Sequence, residues 1–144
     1  MYLDTLDHFA AVAERKAAAV RSHPLPFFVS AMMAGAYVGL GIILIFSVGA
    51  TLDPAWRRLV MGASFGIALT LVIFAGSDLF TGHTMFMTIG RLRRRVTTVD
   101  LASSWTLSWL GNLAGATALA WLFVAGGGGA LLSGPVLHQE PGCR

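Results

Sequence analysis

Charge is scarce in this chain of 144 residues: Asp, Glu, Lys and Arg together make up 12% of it. An ordinary water-soluble domain carries about twice that share. With 56% hydrophobic residues, the surface calls for lipid as its solvent. Cysteine is nearly missing too: Cys143 stands alone, which excludes an internal disulfide and a Cys-based metal site. The histidines His8, His23, His83 and His138 fall at no metal-ligand spacing. No Ser or Cys has a base positioned beside it. Neither an enzyme nor a bound cofactor is expected. The net charge of +3 comes from clustered basic residues without interleaved aromatics, so nucleic acid is not an expected partner.

What is present is long apolar runs. About 20 apolar residues are needed for a helix to cross the hydrocarbon core. "FFVSAMMAGAYVGLGIILIFSVGA" (27–50) and "LVMGASFGIALTLVIFAGS" (59–77) each suffice, and "SSWTLSWLGNLAGATALAWLFVA" (103–125) is a third. Each contains a Gly-x-x-x-Gly pair: Gly35/Gly39, Gly62/Gly66 and Gly111/Gly115. Such pairs predict close helix packing, because dispersion contacts drive association in lipid. Of the ten Lys and Arg residues, seven (Arg15, Lys16, Arg21, Arg91, Arg93, Arg94, Arg95) fall on one side of these spans. Arg57, Arg58 and Arg144 fall on the other. The positive-inside rule then predicts a multi-pass protein of the inner (plasma) membrane with a cytoplasmic N-terminus.

Residues 1–23 carry an apolar stripe of Leu3, Leu6, Ala10, Ala13, Ala17 and Val20. This spacing predicts an amphipathic helix, with Asp4 as its N-cap and His23-Pro24 at its end. It would lie on the bilayer or against a neighbouring subunit. A signal peptide is disfavoured by Asp4 and Asp7 and by the late start of the apolar run, although "VGA" before Thr51 mimics a cleavage site.

The second span is peculiar. "GSDLFTGHTM" (76–85) puts an acid, a histidine, two threonines and two glycines within an apolar run. From Leu59 to Gly90 a continuous helix would measure about 48 Å, well beyond a ~30 Å core. Gly76 and Gly82 ease non-helical backbone, and Ser77, Asp78, Thr81 and Thr84 can bond local backbone groups. One reading is a break at membrane depth followed by a half-helix over 82–90. Such a break is tolerated only inside protein or beside water, and its freed N–H groups would favour an anion. The other reading ends the span near Ser77 and continues as a surface helix.

"MAGAYVGLGIILIFSVG", "LVMGASFGIALTLVIFAGSDLFTGHTMFMTIG" and "WLGNLAGA" resemble the first half of the formate/nitrite transporter family, closest to its nitrite channel branch. The resemblance runs from about Met1 to Leu132. It implies an all-α membrane fold: three transmembrane helices, the second broken by a loop, forming half of an aquaporin-like inverted repeat. It also implies assembly as a pentamer with one anion pore per protomer. By resemblance, Phe65, Leu69, Leu79 and Phe80 match hydrophobic pore constrictions. Thr81 matches a loop threonine that bonds toward a central histidine and helps gate the path. His83 is not that histidine, which lies in the family's second triplet; a hydrogen-bonded structural role and a pore role both stand for it. Asp78 reads as a cap on the loop's freed N–H groups in preference to a substrate contact, with Gly82 completing the gating loop. Asn112 matches the "N-L-x-G" element and is expected to bond a neighbouring helix.

Residues 24–132 thus form one triplet, and the tail 133–144 ("SGPVLHQEPGCR") diverges from the family. It reads as the mark of a truncated or frame-shifted chain. Efficient conduction by this chain alone is not expected, and the Lys/Arg bias argues against a second copy inserting upside down. Two classes of function remain. One is a channel half for a small monovalent anion, nitrite or formate. The other is a non-transporting remnant or an accessory subunit joined to a full-length paralogue. A water or glycerol pore has little support without an Asn-Pro-Ala triplet.

Overall fold

The computed structural model describes residues 2–129; the tail expected at 133–144 lies outside them. Five α-helices follow one another: α1 (Tyr2–Ser22), α2 (Pro24–Thr51), α3 (Pro54–Phe74), α4 (Phe80–Leu92) and α5 (Thr98–Phe123), the last running into a π-helical turn (Val124–Gly128). No strand occurs among the described residues. Three helical stretches are long and apolar enough to cross a membrane: Pro24–Thr51, Pro54–Phe74 and Thr98–Gly128.

The ends of the helices are set by local chemistry. His23 separates α1 from α2, and Pro24 takes the first turn of α2, where its missing N–H costs nothing. Helix α3 starts five residues before the expected 59, because the Asp53 carboxylate accepts from the Ala55 N–H ahead of the apolar run. Helix α5 likewise starts at 98 instead of 103. Thr97 and Asp100 there form a capping box, with the Asp100 N–H donating to Thr97 Oγ1 at 3.1 Å and the Thr97 N–H to Asp100 Oδ2 at 3.0 Å. Asp4, expected to cap α1, instead sits within its first turn, where a negative charge still suits the helix dipole.

Helix α2 is the hub, packed by α5 on one side and α3 on the other. Its seam with α5 is a backbone approach. A Cβ added at Gly35 would lie 2.0 Å from the Asn112 carbonyl oxygen, and one at Gly115 would lie 1.8 Å from that of Met32. The seam with α3 uses Gly41, where an added Cβ would stand 2.3 Å from Ala68 Cβ. Gly62 and Gly66 do not pack: nothing lies within 4 Å of a Cβ added at either, and both are exposed. The expectation of a packing face in every span therefore holds for α2 and α5 and fails for α3 among the described residues.

Helix α1 lies against α4 and α5 of its own chain. Ala13, Ala17, Met87 and Val96 form a buried cluster, with Leu101 and Trp105 against it. The close fit comes from Gly90, where an added Cβ would stand 2.4 Å from Ala13 Cβ. The stripe expected to face lipid or a neighbouring subunit is thus buried from Ala10 to Val20, while Leu3 and Leu6 stay exposed. Ion pairs tie the basic end of α4 to the acids of α1: Arg93 to Asp7 at 3.0 Å and Arg95 to Glu14 at 3.4 Å.

Candidate functional site

The second span breaks between Phe74 and Phe80. Helix α3 closes in a Schellman motif: the Ser77 N–H donates to Val72 O at 3.1 Å and the Gly76 N–H to Ile73 O at 3.1 Å. The residue between must be left-handed, and Gly76 supplies that with φ +62°. The chain then runs extended through Leu79 into α4. At 13 residues, α4 is about 20 Å long, too short to cross a membrane on its own. The break falls within the stretch 76–85 where the sequence places it; the half-helix is longer at both ends than the expected 82–90.

Three elements hold the break. Asp78 is the junction: its Oδ1 accepts from Lys16 Nζ of α1, its Oδ2 accepts from Ser30 Oγ of α2 at 3.2 Å, and its N–H donates back to Ser30 Oγ at 3.3 Å. The carboxylate thus bonds side chains of two other helices and accepts from none of the loop N–H groups it was expected to cap, among the described residues. Capping falls to Asn112 of α5, whose Oδ1 accepts from the Phe80 N–H at 3.2 Å. Its Nδ2 reaches three carbonyl oxygens: Asp78 at 3.0 Å, Ala31 at 3.1 Å and Ser108 at 2.9 Å.

His83 is 2% exposed and its ring sits 5.1 Å from that of Phe27. Nδ1 stands 3.7 Å from Asp78 Oδ1, an ion-pair distance when the ring is charged but beyond hydrogen-bond length. Neither ring nitrogen has a hydrogen-bond partner among the described residues.

A cavity of about 400 Å³ opens at the break, lined by Lys16, Leu69, Ile73, Asp78, Leu79, Thr81, Gly82, His83 and others. Of the residues singled out by sequence, Leu69, Leu79, Asp78, Thr81, Gly82 and His83 line it; Phe65 and Phe80 do not. Phe65 lies one turn before Leu69 on α3, both partly exposed. The Thr81 side chain makes no hydrogen bond among the described residues, while its carbonyl accepts from Thr84 Oγ1 at 2.8 Å. The Thr81 and Gly82 N–H groups come before the first intrahelical bond of α4, which His83 N–H gives to Leu79 O at 2.9 Å. They carry the positive end of the half-helix. Lys16 and Ser30 are the members that sequence reasoning missed. Lys16 counts toward orientation, and only its place beside Ala17 on the buried stripe hints at an inward role.

A broken membrane helix whose polar backbone lines a cavity belongs to the class of channels and transporters. The comparisons give the particular family. Residues 4–139 match the formate/nitrite transporter family, and the chain belongs to it. The match reaches past Leu132, into the stretch expected to diverge. The chain is 54% identical over 134 residues to the nitrite transporter NirC of Salmonella typhimurium, covering 91% of this chain and 49% of that protein. It is 38% identical over 138 residues to a probable formate transporter of Methanothermobacter thermautotrophicus, covering 92% and 48%. A solved structure described as an FNT family ion channel superposes with TM-score 0.82 at 55% identity, over 88% of this chain and 51% of that one. The fold is therefore that of one half of an aquaporin-like channel. The chain spans about half the length of the curated relatives it matches.

Proposed function

We propose that this chain forms one wall of a membrane path for a small monovalent anion, with nitrite as the leading substrate and formate as the second. The observation that carries the reading is the break at 76–79, whose cavity gathers Lys16 (paired with Asp78), Thr81 and Gly82 of the first turn of α4, and apolar walls. Leu69 and Leu79 in the cavity, together with Phe65 and Phe80 next to them in the chain's α3 and α4, act as the apolar constrictions that exclude hydrated ions. Thr81 and Gly82 offer donors to an anion that has shed water. Asp78 and His83 shape the loop. The N-terminus is cytoplasmic, the membrane is the inner one, and the complete assembly is a homopentamer.

Supporting this reading are the family membership and the name of the NirC relative, of which this chain spans 49%. In this reading a complementary triplet, on the same polypeptide or another, forms the opposite wall. Nitrite-driven swelling of liposomes tests it. The 144 residues alone should give little swelling, and the same residues joined to a complementary triplet should give rapid swelling. Equal rates from both preparations would overturn the one-wall reading, and no swelling from either would overturn transport. Competition between nitrite and formate in the joined form ranks the two anions.

A second reading is favoured by the bare face of α3, where no described atom lies within 4 Å of a Cβ added at Gly62 or Gly66 and Ile73 is 77% exposed. There the chain is an accessory subunit on a full-length paralogue, and co-purification with such a partner would support it.

A further inference from the structure

We infer that Asn112 and Gly35 act as a positioning pair for the break, fixing where the half-helix α4 begins and which of its N–H groups face the cavity. Four hydrogen bonds meet at one side chain. Asn112 draws on α2 through Ala31, on the break through the Asp78 carbonyl, on its own helix through Ser108 and on α4 through the Phe80 N–H. An amide can do this and its neighbours in chemistry cannot. It offers two N–H donors, one of them shared between two of the three carbonyls, and an oxygen with two lone pairs, whereas a carboxylate would set negative charge against three carbonyl oxygens and an alkyl group would leave Phe80 N–H and Asp78 C=O without partners.

The consequence for the cavity is selective. Helix α4 starts with three N–H groups that no helical carbonyl can take. Asn112 takes that of Phe80, which leaves those of Thr81 and Gly82, both in the cavity lining. Asn112 therefore turns one donor away from the path and fixes the direction of the other two. Gly35 is the second half of the device. An added Cβ there would come 2.0 Å from Asn112 O and 2.8 Å from Asn112 Cα, so any larger residue pushes Asn112 away from α2 and pulls its amide off the break. Two residues far apart in sequence thereby control one bond to α4.

The assignment concerns the geometry of the break; that the geometry serves an anion rests on the function proposed above. It is tested in the 144-residue chain in lipid nanodiscs, with Cys143→Ser and nitroxide labels at Phe74→Cys and Met85→Cys, two exposed sites flanking the break. Electron–electron dipolar spectra should give one narrow distance distribution. Asn112→Leu and Gly35→Ala should each widen it at least twofold, and the double variant should be no wider than the broader single one. Asn112→Asp keeps an acceptor for the Phe80 N–H but repels three carbonyls, and should shift the mean. Ser104→Ala removes only a local bond to Leu101 O from another buried α5 position and should change nothing. An unaltered distribution in Asn112→Leu with helix content retained would overturn the proposal. So would loss of helix content in Asn112→Leu, Asn112→Asp and Gly35→Ala alike, since Asn112 would then govern the whole bundle. A native distribution in a preparation that carries no anion when joined to a second triplet would sink the transport reading alone and leave this one standing.

Discussion

The seam between α2 and α5 and the outward face of α3 are written with the same spacing, Gly-x-x-x-Gly, yet one is filled to the backbone and the other is bare. At the seam Gly35 and Gly115 admit carbonyl oxygens into the space a methyl would take. On α3, Gly62 and Gly66 face no described atom within 4 Å, and the same surface carries Phe65, Leu69 and Ile73. A small-residue pair states that a backbone can approach; it does not say whose. In lipid, where apolar faces gain little by leaving the solvent, only the shape of an available partner decides which pair is used first.

The contrast gives a graded set of expectations for unfolding in detergent. Gly115→Ala should have the largest effect, about 3 kcal/mol of destabilisation from overpacking. Gly62→Ala should be neutral or add roughly 0.5–1 kcal/mol of helix stability. Equal losses at both sites would end the distinction between the two faces. A Gly62→Ala variant that is stable alone but fails to join a complementary triplet would sharpen it, by making the bare face an interface. Next comes Asp78→Ala, which strands Lys16 and Ser30 in a part-buried junction. About 2 kcal/mol should be lost, with lower yield of assembled protein.

Smaller effects belong to the two Schellman ends. Helix α4 closes as α3 does, with Arg95 N–H donating to Gly90 O at 2.9 Å, but Arg94 occupies the left-handed position at φ +57°. Gly76→Ala should therefore cost, and Arg94→Gly should contribute, about 1 kcal/mol each. Thr81→Ala should move stability least, by less than about 0.5 kcal/mol, while changing anion flux in the joined form. A Thr81→Ala variant with altered unfolding and native flux would place Thr81 with the scaffold instead of the path.

Much of this was legible because it is periodic or local. Runs of about 20 apolar residues mark the spans, the stripe from Ala10 to Val20 marks α1, and Gly76 followed by a polar cluster marks the break. The Thr97-x-x-Asp100 box is also a local signal, but the apolar run alone set the expected start of α5 at 103, five residues after the box places it. What could not be read is the set of partners. Lys16 and Asp78 are 62 residues apart and Asn112 and Asp78 are 34 apart, and bonds at that range leave no pattern along the chain. Asp78 shows the difficulty well. An acid beside free N–H groups is a natural cap by local reasoning, but Ser30 and Lys16 arrive from other helices and claim its oxygens, and the N–H group falls to an amide from a fifth element.

The alanine face of α1 bears on how the molecule is made. Ribosomes deliver α1 first, whereas its mate on α4 emerges some 77 residues later, as the interval from Ala13 to Gly90 measures. At ordinary elongation speeds that is a wait of roughly 4 to 15 s. A stripe of leucines would adsorb or aggregate during such a delay; methyl groups set among Glu14, Arg15 and Lys16 remain hydrated, and they close on Gly90 only once the nascent half-helix comes within reach.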